Sequence, residues 1–325
     1  MHKFSAHAEL HKRRLFGLSL AQLEEFAAYI IMVLLGIKDA YLCGYLFATD
    51  HCSCTSATAN IRSVLVIIQT TLKPFFASVK LICICLVQSE EPDMSFFNAS
   101  RDYIFLRQDF YYRKLSQLPC NNSRTEHVFL TSHPLVVDVS GTHLVRLSAD
   151  TIKALLTRMC TCFGDNVHGN STNDLEFIKP MNVSQLCSQV SLCLTAGWLL
   201  GYPCLYRNIQ QCCEEPCDSY ALGTNALSLQ LLRQFRVSIP TRAFLEFELC
   251  STFPSEISEG SKVLSFGLDR DCSVFEFTVP VALLSAGTEL NAFECALEQQ
   301  VKQVQKLFPT AVLSQQDFSE PTIMM

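Results

Sequence analysis

The chain has 325 residues, 49% of them hydrophobic, and a net charge of -6 from 25 basic and 31 acidic residues. That length and apolar content can bury a sizeable core, so a globular protein is expected. The acidic balance removes the electrostatic basis for binding nucleic acid, which rests on neutralising phosphates, and a dedicated nucleic-acid binder is excluded.

Residues 1–14 are polar and read as a tail. The basic run from His11 to Arg14 leads into LFGLSLAQL, which Glu24 and Glu25 interrupt, so no secretory pattern is expected. The 17 cysteines are then expected to be reduced thiols of a cytoplasmic, intracellular protein. The glycosylation patterns at Asn98, Asn121, Asn170 and Asn182 become chance matches in that setting.

The first helix starts at Ser19, where Gln22 completes a capping-box spacing. Leu20, Leu23, Phe26, Ala27, Ile30, Ile31 and Leu34 share a face, and Gly36 ends the helix before a strand at AYLCGYLF. SVLVIIQTTL reads as a helix ended by Pro74, and KLICICLV as a buried strand. From Ser89 to about His127 (89–128) aromatic and charged residues alternate irregularly, which suggests an insertion or lid; a helix covering one sheet face is the plainer alternative. HVFL and PLVVDVSG read as strands, and Ser148 caps a helix whose Ile152, Leu155, Leu156 and Met159 share a face.

The stretch from Asn182 to Asn208 carries no charge before Arg207. About 20 apolar residues would span a bilayer, but six Ser, Thr and Gln side chains and the Gly201, Tyr202, Pro203 break argue for a buried helix instead. Asn182 and Gln185 have capping-box spacing, and Gly201 supplies the left-handed residue that ends the helix before a strand. The order of helix, Leu-Leu-Gly and strand repeats that of Leu34, Leu35 and Gly36. LSLQLLRQFRVSI, AFLEFELCSTF, KVLSFGL and SVFEFTV then read as an antiparallel meander. A helix from about Glu289 to Phe308, capped by Thr288, presents Leu290, Phe293, Leu297, Val301, Val304 and Phe308 to the sheet; residues 316–325 read as a tail.

The chemistry-bearing candidates are few. Cys212, Cys213 and Cys217 in CCEEPC, with His51, Cys52 and Cys54, form the one group worth testing for metal, although no pair of C-x₂₋₄-C knuckles occurs and no metal is expected. Asp138, Ser140, Thr142 and His143 in DVSGTH stand at the end of a strand, where open sheets place ligand sites; alternatively Asp138 and Ser140 satisfy backbone groups of a turn. The glycine frameworks of nucleotide binding and of serine nucleophiles are missing, and no cofactor is expected.

GWLLGYPCLYRN, FEFTVPVALL and SQQDFSE resemble a vertebrate family of proteins known by an open-reading-frame name on human chromosome 1. LGIKDAYLCGYL looks like that family's N-terminal unit, except that Cys43 and Gly44 stand where the family has an aspartate between tyrosines. The resemblance implies the architecture. The family has no assigned reaction, cofactor or active site, so it implies no chemistry.

The expected fold is α+β or mixed α/β: one domain over residues 15–315, with helices on a mixed sheet that is antiparallel towards the C-terminus. The expected function is that of an interaction or structural protein with a protein partner and no membrane span. The alternative is a small-ligand binder or hydrolase-like enzyme using Asp138 to His143.

Overall fold

The computed structural model describes residues 20–43, 66, 79–88, 100–116, 134–140, 143–165, 181–182, 190–208, 226–227, 230–240, 271–284 and 288–319. In chain order they form α1 (Leu20–Leu34), β1 (Ala40–Cys43), β2 (Leu81–Gln88), β3 (Ser100–Arg107), α2 (Gln108–Ser116), β4 (Leu135–Asp138), β5 (Val145–Arg146), α3 (Ala149–Asp165), β6 (Met181–Asn182), α4 (Leu192–Leu200), β7 (Cys204–Arg207), β8 (Leu231–Ile239), β9 (Cys272–Pro280), α5 (Val281–Leu284), α6 (Thr288–Leu307) and β10 (Val312–Ser319). The fold is α+β, with strand orders β1-β3-β2-β6, β5-β4-β7 and β10-β8-β9. The first two sheets mix parallel and antiparallel pairs, and the C-terminal one is antiparallel.

Alternation along β2 and β3 explains why the first sheet is buried on both faces. Leu81 and Cys83 with Tyr103 and Phe105 join a core formed with α1, β9 and α6. Ile82 and Ile84 with Ile104 and Leu106 turn the other way, into a second core with α2, α3 and α4. A strand apolar on both sides belongs between two packed layers. Each such side chain contributes about 1.5–3 kcal/mol on full burial.

Residues 100–107 of the stretch read above as a lid therefore lie at the centre of this sheet, paired on both edges. The helix α2 that follows buries Phe110, Tyr111 and Lys114, which matches the plainer alternative of a helix covering the sheet. Of the charged residues here, Arg107 at the end of β3 pairs with Asp109 and Arg113 with the same carboxylate, while Lys114 is buried.

The second buried helix starts later than its capping-box spacing suggests. Asn182 lies in β6, where it pairs with Val87, while Ser191 caps α4 by accepting from the Leu194 N–H at 3.2 Å. Sheet pairing claims the backbone of Asn182, and Ser191 sits at the correct distance from the first orphan N–H groups. The other end is as read: Gly201 is left-handed at φ 77°, and the N–H groups of Gly201 and Tyr202 return to the Trp198 and Gly197 carbonyls. Gly36 ends α1 in the same conformation, at φ 71°.

The expected cap of α3 is present, with the Thr151 N–H donating to Ser148 Oγ at 3.3 Å. In the C-terminal layer, α6 buries Leu297, Val301 and Val304, and Phe308 just past its end is buried as well. Its Phe293 meets Phe235 and Phe277 edge-on at 5.5 and 5.8 Å. AFLEFELCSTF and KVLSFGL lie outside the described residues. Among the described residues β8 is flanked by β9 and by β10, which continues through residues 316–319, read above as tail, and pairs with residues 231–238. Among the described residues no helix is long and apolar enough to cross a membrane.

Candidate functional site

Asp138 ends β4 beside Arg207 at the end of the parallel strand β7. Its Oδ1 accepts from the Ser140 N–H at 2.9 Å and from Ser140 Oγ at 2.7 Å; its Oδ2 accepts from Arg207 Nη1 at 2.8 Å. Both oxygens are thus engaged by the fold. The turn closes on Asp138 because a short carboxylate reaches the backbone two residues ahead. His143 is exposed, and Thr142 lies outside the described residues, as do Cys212, Cys213, Cys217, His51, Cys52 and Cys54. Among the described residues no His, Cys, Asp and Glu group of metal-binding size occurs.

A different set of charges gathers where the two Leu-Leu-Gly turns meet. The turn after α1 brings Ile37 to Ala40, the turn after α4 brings Leu200 to Pro203, and β9 and α6 add Phe277 and Gln300 around one cleft. It encloses about 20 Å³, room for one water. Mostly apolar walls with a few converging polar groups are the usual composition of a binding cleft.

Lys38 and Asp39 are half-buried and point to opposite walls. Lys38 Nζ donates to the Val274 carbonyl on β9 at 2.7 Å and lies 4.9 Å from the centre of the Tyr29 ring. Asp39 lies against Gly201, so that a Cβ built there would overlap its Oδ2. Behind it Lys114, 5% exposed, donates to the Trp198 carbonyl and sits 4.7 and 5.3 Å from the Phe110 and Trp198 ring centres. Cations over aromatic faces are favourable, more so when water is excluded.

Burial shifts all three charges towards neutrality. It raises the Asp39 carboxyl to about 6, although Lys114, Arg113, Arg107 and Lys38 pull in the opposite direction. It lowers Lys38 to about 8, against the attraction of Cys272, Glu276 and Asp39, and Lys114 to about 8, against Asp39 and Cys160. Desolvation opposes the charged form of each group, and the opposite charges partly restore it. Tyr202 beside them stays a neutral phenol, pushed up to about 12 by burial and by Glu276 and Cys193.

Residue spacing singled out Asp138 and missed Asp39. A usable signal existed: Lys38 and Asp39 are an isolated charged pair between an apolar helix and the apolar strand AYLC. What the sequence could not show is that Lys114, far along the chain, supplies the counter-charge.

No family model matches the chain, and no curated protein or solved structure is significantly similar to it.

Proposed function

We propose that the protein works by binding a protein partner, as an interaction or structural component without catalysis of its own. The observation that carries this reading is the state of Asp138: the carboxylate at the most site-like position of the sequence is engaged by Ser140 and Arg207 and serves the turn and the strand pair. We place the protein in the cytoplasm. Support comes from the packing of Cys43, Cys83, Cys160, Cys204 and Cys272 as buried free thiols, which act there as small hydrophobes. Membership of the chromosome 1 open-reading-frame family is part of the same proposal, supported by the way Leu199 to Pro203 forms a helix-ending turn and Pro280 closes β9 before α5.

The test is a turnover screen over phosphoesters, carboxylic esters and nucleotides with the wild-type chain and Asp138→Asn. No activity above a denatured control is expected. Activity that is lost in Asp138→Asn sinks the non-catalytic reading and restores the hydrolase alternative at Asp138, Ser140, Thr142 and His143.

A further inference from the structure

We propose that β10 is a docking edge for a second copy of this chain, so that two molecules join β10 to antiparallel β10 across a two-fold axis. The proposal stands apart from the reading of Asp138 and holds whether or not the protein is an enzyme. β10 is an edge strand of the C-terminal sheet, whose order is β10-β8-β9. It pairs with residues 231–238 over all eight of its residues without a register shift. Among the described residues, its backbone groups have no hydrogen-bond partner beyond that ladder. An edge of this length presents a row of free N–H and C=O groups, and proteins usually blunt such edges with lysine, proline or a bulge. VLSQQDFS has none of the three, and its one charge, Asp317, is held by Arg233 at 2.7 and 2.9 Å.

The opposite edge of the same sheet is treated differently. On β9 the Val274 carbonyl accepts from Lys38 Nζ and the Thr278 carbonyl from the Tyr206 hydroxyl, both at 2.7 Å, so side chains from outside the sheet already hold two of its carbonyls. The outer strands of the other two sheets, β1, β5, β6 and β7, have only two to four residues each. Among the described residues the long open edge is therefore β10. Joining two copies there gives one sheet of order β9-β8-β10-β10-β8-β9, and both of its ends carry the Lys38 and Tyr206 contacts. Such an assembly closes at two copies.

The sequence of β10 fits a copy of itself. A two-fold axis perpendicular to a sheet leaves each side chain on its own face, so the pairing must centre on one residue. Centred on Gln315, it sets Val312 opposite Phe318, Leu313 opposite Asp317 and Ser314 opposite Gln316. Val312 is 54% exposed in the single chain, and Phe318 gives it the aromatic neighbour that makes a favourable cross-strand pair with a β-branched residue. Centred on Gln316, the same edge would set Phe318 opposite Ser314 and Val312 opposite Glu320, leaving both without an apolar partner. No like charges meet in the Gln315 register, because Asp317 opposes Leu313 and keeps Arg233 within its own sheet.

The test measures the mass of the full chain by sedimentation equilibrium from about 1 to about 100 μM. We expect twice the 36.5 kDa of one chain at the upper end. A wild-type chain that stays at 36.5 kDa throughout overturns the proposal and leaves the edge to a different partner. Gln315 is exposed, so Gln315→Glu leaves the fold in place and sets two carboxylates opposite one another across the axis. Association should then weaken about tenfold or more. Mixing Gln315→Glu with Gln315→Lys should restore it as a mixed pair. Association that is unchanged in Gln315→Glu, or not restored in the mixture, refutes this edge and register. A further readout needs no variant: amide exchange over residues 312–319 of the wild type should slow at the upper concentration. Equal exchange at both concentrations while the mass doubles would put the contact elsewhere and overturn the proposal.

Discussion

Lys114 reaches from α2 to the last turn of α4 and donates its ammonium to the Trp198 carbonyl, which also accepts from the Gly201 N–H. One carbonyl thus receives both the backbone bond that ends the helix and a side-chain cation, and the helix terminus is satisfied by a residue 84 positions earlier in the chain. This contact ties the helix that covers the first sheet to the helix that precedes β7.

Replacing Lys114 by methionine keeps much of the volume but removes the donor and the counter-charge to Asp39. The cost should be about 1–3 kcal/mol at pH 7, the penalty for a buried polar group that loses its partner. Urea unfolding should show a lower midpoint with an unchanged slope, and the deficit should shrink at pH 5, where Asp39 carries less charge.

The two left-handed glycines should differ in their tolerance of alanine. At Gly36 the nearest atom to an added Cβ is Arg107 Nη1 at 2.8 Å, the end of a flexible side chain that can move aside. The cost of Gly36→Ala should therefore be close to the left-handed backbone penalty, about 1–2 kcal/mol. At Gly201 the added methyl meets the confined Asp39 carboxyl as well, and Gly201→Ala should cost more. Combining it with Asp39→Ala should recover the difference in a double-mutant cycle; strictly additive effects would show that the two residues do not touch.

Lys38 should make stability depend on pH above neutrality. A lysine whose folded pKa is about 8 and whose unfolded value is 10.5 penalises the fold while charged. That penalty is fully present below pH 8 and is relieved as pH rises towards 10.5. The wild type should gain on Lys38→Met by about 1–3 kcal/mol between pH 7.5 and pH 10, measured by chemical unfolding of both proteins in parallel. A difference that stays constant over this range would refute it.

Thiol reactivity should divide by burial. Cys295 is exposed on α6, while Cys43, Cys83, Cys160, Cys204 and Cys272 are buried. Burial also pushes the Cys160 and Cys204 thiols up to about 11 and about 12, which leaves almost no thiolate at neutral pH. Peptide mapping after brief alkylation should find Cys295 modified and these five unmodified until denaturant is added. Early modification of Cys83 would place β2 outside the core.

Much of the helical framework is legible in the residue order. Gly36 and Gly201 both occupy the helix-ending conformation because an αL residue there is favourable only without a Cβ. The apolar stripe of α6 and the Ser148 cap of α3 are readable for the same kind of local reason: their signals lie within one or two helical turns. Asn182 shows the limit of such signals: the helix that ends at Gly201 takes its cap from Ser191, while Asn182 pairs with Val87 at the end of β6 and the residues after it lie outside the described ones.

Residue order alone dictates where the apolar segments run, where two of the main buried helices stop, and that the fold mixes helices with strands in the α+β class. Long-range packing is what puts β3 between two strands of a sheet, sets β10 beside β8, and brings Lys114 near Asp39. The range of the interactions separates the two groups. Caps and periodicity act over a few residues, whereas strand partners and buried counter-charges are chosen by which distant segments exclude water together.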